Sequence, residues 1–217
     1  MGTAVAARIP LVCSHRPPGV PLGERVAYLT AQATQPESAG HRDKVARAAG
    51  TLNFAALIAS DSGLRVMAEE LGIEGRSDLL RQIIGAPSNK IQQQSNGDIG
   101  ANIASGSYPS DAMVVIPCSV GTLGRIANGT ASRLIERAAD VTLKERRPLV
   151  LCVRESPLNK IHIRNMSLAA DAGATIFPLI PTFYNHPASI EVMAQEFANR
   201  VLAHIGLAQE NSYRWKG

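Results

Sequence analysis

From residue 54 onward, short continuous apolar runs alternate with longer segments of helical pattern, and few folds accommodate that rhythm. The runs are Phe54 to Ala59, Ala112 to Cys118, Pro148 to Val153 and Thr175 to Ile180. Such a run, bounded by helices, is what a strand buried on both faces requires, and parallel sheets are made of such strands. The helical patterns are Gly63 to Leu71, Gly121 to Ala139, Ile161 to Asp171 and Ser189 to Ile205. In the last of them Ile190, Met193, Ala194, Phe197, Val201 and Ile205 recur at helical spacing, with Ser189 as N-cap. The alternation predicts a doubly wound α/β sheet, a fold that collects ligands outside the carboxyl ends of its strands. The polar stretch Leu71 to Ile99, with Gly85, Pro87, Asn89 and a QQQSNGD run, reads as a helix followed by a surface loop. Thr30 to Gly50 reads either as a helix or as a disordered insert.

Length and composition fit one domain with a real core: 217 residues, 45% apolar and only 18% charged. A chain this apolar offsets its ordering entropy by burial, which excludes a disordered chain. No window approaches the ~18 consecutive apolar residues of a membrane span. The opening MGTAVAARIPLV lacks the basic start and long apolar centre of a secretory signal, so a cytoplasmic protein is expected. Cys13, Cys118 and Cys152 are odd in number and widely spaced; neither a disulfide framework nor a metal site is expected of them. The net charge of +4 is dispersed and accompanied by 4% aromatics, a poor basis for a nucleic-acid surface.

Four segments carry candidate chemistry. In IPCSVGTLGRIANG, residues 116 to 129, a buried strand runs into a helix start. The unpaired N–H groups there, with Ser119 and Thr122, suit a phosphate, although Ser119 is equally a plain helix cap. In the block from Arg133 to Leu158, Glu145, Arg146 and Arg147 read as a solvated loop face. Arg154 and Glu155 emerge from a strand's carboxyl end and either bind an anion and move a proton or close the strand as an ion pair. In ASGSYPSDAM, residues 104 to 113, Gly106 between two serines allows close backbone approach to a ligand or makes an ordinary turn. In PTFYNHP, residues 181 to 187, Tyr184 is a substrate cover or a packing residue, and His186 has no partner at metal-ligand spacing. Trp215, in a polar tail, is expected to dock on its own subunit or a neighbour.

Taken together, ASGS, IPCSVGTL, LIERAADVTLKERRPLVL, VRESPL, IHIRNM, AGATIFPLIPTFY and the final RW resemble the UbiX-type flavin prenyltransferases, from about Ser60 to Trp215. The resemblance implies a flavodoxin-like, Rossmann-like, three-layer α/β/α domain spanning 1–217, with an atypical part at 1–53, a well-matched core at 54–210 and a tail at 211–217. It implies a homo-oligomer, a dodecamer, with sites at subunit junctions. It also implies a reaction: dimethylallyl phosphate gives its prenyl group to N5 of reduced FMN, ring closure at C6 follows, and the prenylated FMN serves a UbiD-type decarboxylase, as in ubiquinone biosynthesis. By the same likeness Ser60, Ser119, Thr122 and Arg137, with Gly19, hold FMN. Lys144, Arg154, Tyr184 and Arg200 surround the leaving phosphate. Glu155 is the acid/base residue, Glu70 a second carboxylate near it, and Trp215 and Tyr184 offer π faces to an allylic cation. No metal is implied.

The chain departs from the family at one loop. The family's first strand runs into a Gly-x-Ser-Gly loop around the flavin, where this chain reads Ser14-His15-Arg16-Pro17-Pro18-Gly19. Pro18 stands in the serine's place without an N–H to donate, and Arg16 in a glycine's. The altered loop leaves as an alternative an FMN-binding oligomer with impaired catalysis; a related flavin-dependent cysteine decarboxylase on the same scaffold is a further one.

Overall fold

The computed structural model describes residues 12–14, 55–71 and 91–207. Its strands are β1 (Val12–Ser14), β2 (Ala55–Ala59), β3 (Ile91–Ser95), β4 (Met113–Cys118), β5 (Leu149–Val153) and β6 (Thr175–Ile176). Its helices are α1 (Asp61–Leu71), α2 (Val120–Ala127), α3 (Leu134–Lys144), α4 (Lys160–Asp171) and α5 (Ile190–His204). The six strands form one sheet in the order β3-β2-β1-β4-β5-β6. β2 pairs β3, β4 pairs β5 and β5 pairs β6 in parallel. β1 is antiparallel to both β2 and β4, so the sheet is mixed at that one three-residue strand.

The apolar runs behave as strands buried on both faces. Met113 and Val115 on β4, with Leu149 and Leu151 on β5, belong to one core shared with Leu123, Leu134, Ala138 and Ala169 of α2, α3 and α4. Val114 and Ile116, with Val150 and Cys152, belong to the opposite core, shared with Ala198, Val201, Leu202 and Ile205 at α5. The period of two sends alternate residues from Met113 to Ile116 and from Leu149 to Val153 into alternate cores, which makes the three layers; a register shift after Val115 returns Cys118 to the Met113 side.

Four local expectations need correction. The single helical pattern from Gly121 to Ala139 is two helices, α2 and α3. α2 stops where Asn128 Nδ2 donates to the Gly124 carbonyl at 2.7 Å and Gly129 turns the chain at φ +65°. α3 starts without a side-chain cap from Arg133; instead Leu134 N donates to the Asn96 carbonyl at 2.9 Å and Ile135 N to Asn96 Oδ1 at 3.1 Å. The loop expected before Ile99 contains β3, a polar edge strand (IQQQS) whose sequence carries little strand signal. The run Thr175 to Ile180 is a strand only to Ile176, because Pro178 has no N–H, although Phe177 N and Leu179 N still donate to the carbonyls of Leu151 and Val153 at 2.9 Å. On α5, Ser189 caps Val192 N as expected, but the buried residues are Ala198, Val201, Leu202 and Ile205, while Ile190 is exposed. The Thr30 to Gly50 segment lies outside the described residues.

Candidate active site

β2, β4 and β5 run in the same direction, so their carboxyl ends share one edge of the sheet. Each ends in a residue expected at the site. After β2, Ser60 begins α1: its Oγ accepts from Gly63 N at 3.0 Å and its carbonyl from Leu64 N at 2.8 Å. After β4, Ser119 caps α2: its Oγ accepts from Thr122 N at 3.2 Å and donates to Thr122 Oγ1 at 3.1 Å. After β5, Arg154 N donates to the Cys118 carbonyl at 3.2 Å, which draws the Arg154–Glu155 pair against the start of α2.

A cleft of ≈ 190 Å³ opens among these turns, lined by Ser60, Ser62, Gly63, Pro117, Ser119, Thr122, Arg125, Ile135, Arg154 and Glu155. Five expected residues, Ser60, Ser119, Thr122, Arg154 and Glu155, therefore meet in one place. Capping and ligand binding are compatible for Ser119, because a cap leaves the first-turn N–H groups facing outward. Hydroxyls, helix N-termini and two guanidiniums form a donor set suited to a phosphate-bearing group such as FMN, and few acceptors oppose it. Cys118, at the end of β4 behind the cleft, is fully buried, and burial pushes its thiol up to about 12. Burial likewise raises Cys152, so both thiols stay protonated packing groups. Among the described residues no group of His, Cys, Asp and Glu could hold a metal ion.

Sequence reasoning missed Arg125 and Ile135. Arg125 Nε donates to Glu136 Oε1 at 2.7 Å, and Glu136 is 3% exposed. Arg125 was legible at three residues beyond Thr122 on a helix starting at Ser119.

Other expected residues lie elsewhere. Arg137 Nε donates to the Ala104 carbonyl at 3.2 Å, and its NH1 pairs with Asp140 at 3.0 Å. Lys144 pairs with Glu145 at 3.2 Å beside Gly106, where an added Cβ would collide with the Glu145 carboxylate and come within 2.9 Å of Lys144 Nζ. Gly106 thus permits the close approach of these two side chains. Arg147 is not a solvated residue as expected: it donates to the carbonyls of Gly106 and Tyr108 at 2.8 and 3.0 Å and to Ser110 Oγ at 3.0 Å, clamping that loop. Tyr184 is 57% exposed, beside exposed Phe183 and Ile180. The Arg200 guanidinium lies 5.8 Å from the centre of the Phe177 ring. Glu70 is in the last turn of α1, and its side chain lies outside the described set; Gly19 and Trp215 lie outside the described residues altogether.

The family model described as Flavoprotein matches residues 52–204. The flavin prenyltransferase UbiX of Halalkalibacterium halodurans is 38% identical over 161 residues, covering 73% of this chain and 78% of that protein. A probable UbiX-like flavin prenyltransferase of Sedimentibacter hydroxybenzoicus is 48% identical over 123 residues, or 57% of this chain. In that match the chain spans 65% of the relative's length, as it does for UbiX of Pseudomonas aeruginosa, at 45% identity and 63% of this chain. The fold is similar to AnUbiX (PadA1) solved in complex with FMN and dimethylallyl pyrophosphate, with TM-score 0.67, 37% identity, and coverage of 75% of this chain and 82% of that one. It is equally similar to a dodecameric FMN-dependent UbiX-like decarboxylase from Escherichia coli O157:H7, with TM-score 0.67, 36% identity, and coverage of 75% and 83%. Matched over the strands and helices that build the cleft, the chain belongs to the Flavoprotein family and within it to the UbiX type.

Proposed function

We propose that this protein is a flavin prenyltransferase, moving a dimethylallyl group from dimethylallyl phosphate to N5 and then C6 of reduced FMN. The observation that carries the reading is the meeting of Ser60, Ser119, Thr122, Arg154 and Glu155 in one cleft at the carboxyl edge of the sheet. AnUbiX, of similar fold, holds FMN and dimethylallyl pyrophosphate together.

The flavin supplies an electron-rich ring when bound; the rest is the chain's work. Ser60, Ser119 and Thr122 bind and orient it, joined by Arg137 and Gly19. As phosphate leaves the allylic carbon, negative charge grows on its oxygens, and Arg154 opposes it with Lys144, Tyr184 and Arg200. Glu155, beside Arg154, moves the proton that ring closure requires, with Glu70 as a second carboxylate. Tyr184 and Trp215 have the role of supplying π electrons to the cationic prenyl carbon. Protein cations neutralise the monophosphate, so the step is written without a metal. Because Arg137, Lys144, Tyr184 and Arg200 do not line the described cleft of their own chain, their roles are assigned to the cleft of a neighbouring copy in a homo-oligomer, a dodecamer like the E. coli O157:H7 relative. The product passes to a UbiD-type decarboxylase in the cytoplasm.

Anaerobic incubation with reduced FMN and dimethylallyl phosphate should yield flavin heavier by one dimethylallyl unit. Recovery of unmodified FMN, under conditions where a relative with the Gly-x-Ser-Gly loop reacts, would overturn the reading. Pro18 favours a second one, an FMN-binding oligomer with impaired catalysis. Yellow protein without turnover, repaired by Pro18→Ser, selects it.

A further inference from the structure

We propose that Arg125 grips the phosphate monoester bound at the start of α2, and that Glu136 is the positioning residue that aims it. The proposal deepens the flavin and prenyl phosphate reading and rests on it; the likeness to the family assigns no role to either residue. Arg125 lines the cleft with Ser119 and Thr122. Its Nε is committed to Glu136 at 2.7 Å, whereas its side chain is 44% exposed. That tether leaves the two terminal nitrogens of the fork for a ligand. One of them, Nη2, spends one hydrogen donating to Thr122 Oγ1 at 3.4 Å and keeps its second. The other, NH1, and Ser119 Oγ border the same space at Gly121, where an added Cβ would sit 3.7 and 3.9 Å from them. Guanidinium and hydroxyl thus converge over the first turn of α2, where helix geometry leaves the Val120 and Gly121 N–H groups without an intrahelical acceptor.

Glu136 is built for the tether. It is 3% exposed, and its second oxygen, Oε2, is buried without a hydrogen-bond partner among the described residues. A carboxylate so placed depends on its one cation, which restrains that cation in return. With Arg154 on the same cleft, an anion there meets two guanidiniums.

The phosphate has two possible sources, the flavin and the prenyl donor, and binding measurements separate them. FMN and riboflavin, which lacks the phosphate, are titrated against wild type and Arg125→Gln, and KM for dimethylallyl phosphate is measured on both. FMN affinity should fall on the order of ten- to a hundredfold while riboflavin changes by less than about twofold, as loss of a charge-assisted contact to phosphate requires. A rise of similar size in KM for dimethylallyl phosphate, with both flavins unchanged, assigns the grip to the donor instead. Equal losses for FMN and riboflavin, or no change in any of the three, overturn the proposal. Since Arg125→Gln strands Glu136, the double variant Arg125→Gln/Glu136→Gln is compared with Glu136→Gln to repeat the reading in a neutral background. Glu136→Gln alone should lower the FMN-to-riboflavin preference severalfold, a ratio that a purely structural defect would leave alone. A wild type that binds neither flavin removes the flavin reading itself, a result distinct from an unmoved Arg125→Gln.

Discussion

The carboxyl edge of β2, β4 and β5 and the segment from Ile180 to Arg200 carry residues for the same proposed reaction, yet they are built in opposite ways. At the edge, Ser60, Ser119, Arg154 and Glu155 follow a buried strand within two residues, and bonds of 3.0 to 3.2 Å hold the two serines and the Arg154 backbone. In the other segment Ile180, Phe183, Tyr184 and Ile190 are all more than half exposed. Ser60, Ser119, Thr122, Arg154 and Glu155 meet within one chain. The second leaves apolar and cationic groups uncovered by the described residues, which is where a neighbouring copy enters the proposal.

The contrast can be broken most forcefully at Glu155. Glu155→Gln should keep FMN and slow prenylated-flavin formation by about a hundredfold or more, the scale of a lost proton-transfer group; unchanged turnover removes Glu155 from the chemistry. Arg154→Ala should raise KM for dimethylallyl phosphate by roughly tenfold or more through loss of a charged contact, with a smaller effect on FMN; equal losses point to a structural role. The two halves are tested jointly by mixing the impaired Arg154→Ala and Tyr184→Ala chains after unfolding and co-refolding, with dimethylallyl phosphate held well below the raised KM. Mixed oligomers should regain on the order of a quarter of wild-type activity if each site draws these residues from different copies, and none if both come from the same copy. Asn96→Ala should cost about 2 kcal/mol, since two first-turn N–H groups of α3 lose their partner or its geometry, measured by urea unfolding. Ser119→Ala should cost only about 1 kcal/mol as a lost cap, yet weaken FMN; a stability loss with unaltered FMN affinity leaves Ser119 as a cap alone.

What was legible in the sequence divides along similar lines. The strands of unbroken apolar residues announced themselves, because burial on both faces leaves no room for polar alternation at Val114, Val115, Val150 or Leu151. The turns after them were legible too, because capping serine and anion-binding serine use the same position. β3 was not, since Gln92, Gln93 and Gln94 on an edge strand look like a loop. Nor was the break between α2 and α3, where the decisive partner of Ile135 N is Asn96, 39 residues away. Arg147 was misread for the same reason: its acceptors at Gly106 and Tyr108 lie about forty residues upstream, and local charge patterning does not register them. Long-range polar contacts carry no periodicity, so the sequence alone shows the residue types without the pairing.

The alternation of β4 between the two cores also ties the chemistry to the reading frame of a single strand. A one-residue insertion or deletion between Met113 and Cys118 would exchange the residues facing α5 with those facing α2 to α4. It would also turn Ser119 to the opposite side of the sheet from Ser60 and Arg154, dismantling the cleft while leaving every residue that lines it present in the chain. Length variation is therefore tolerable in the loop before β4 and disruptive from Met113 through Ser119, where α2 follows the strand without a loop.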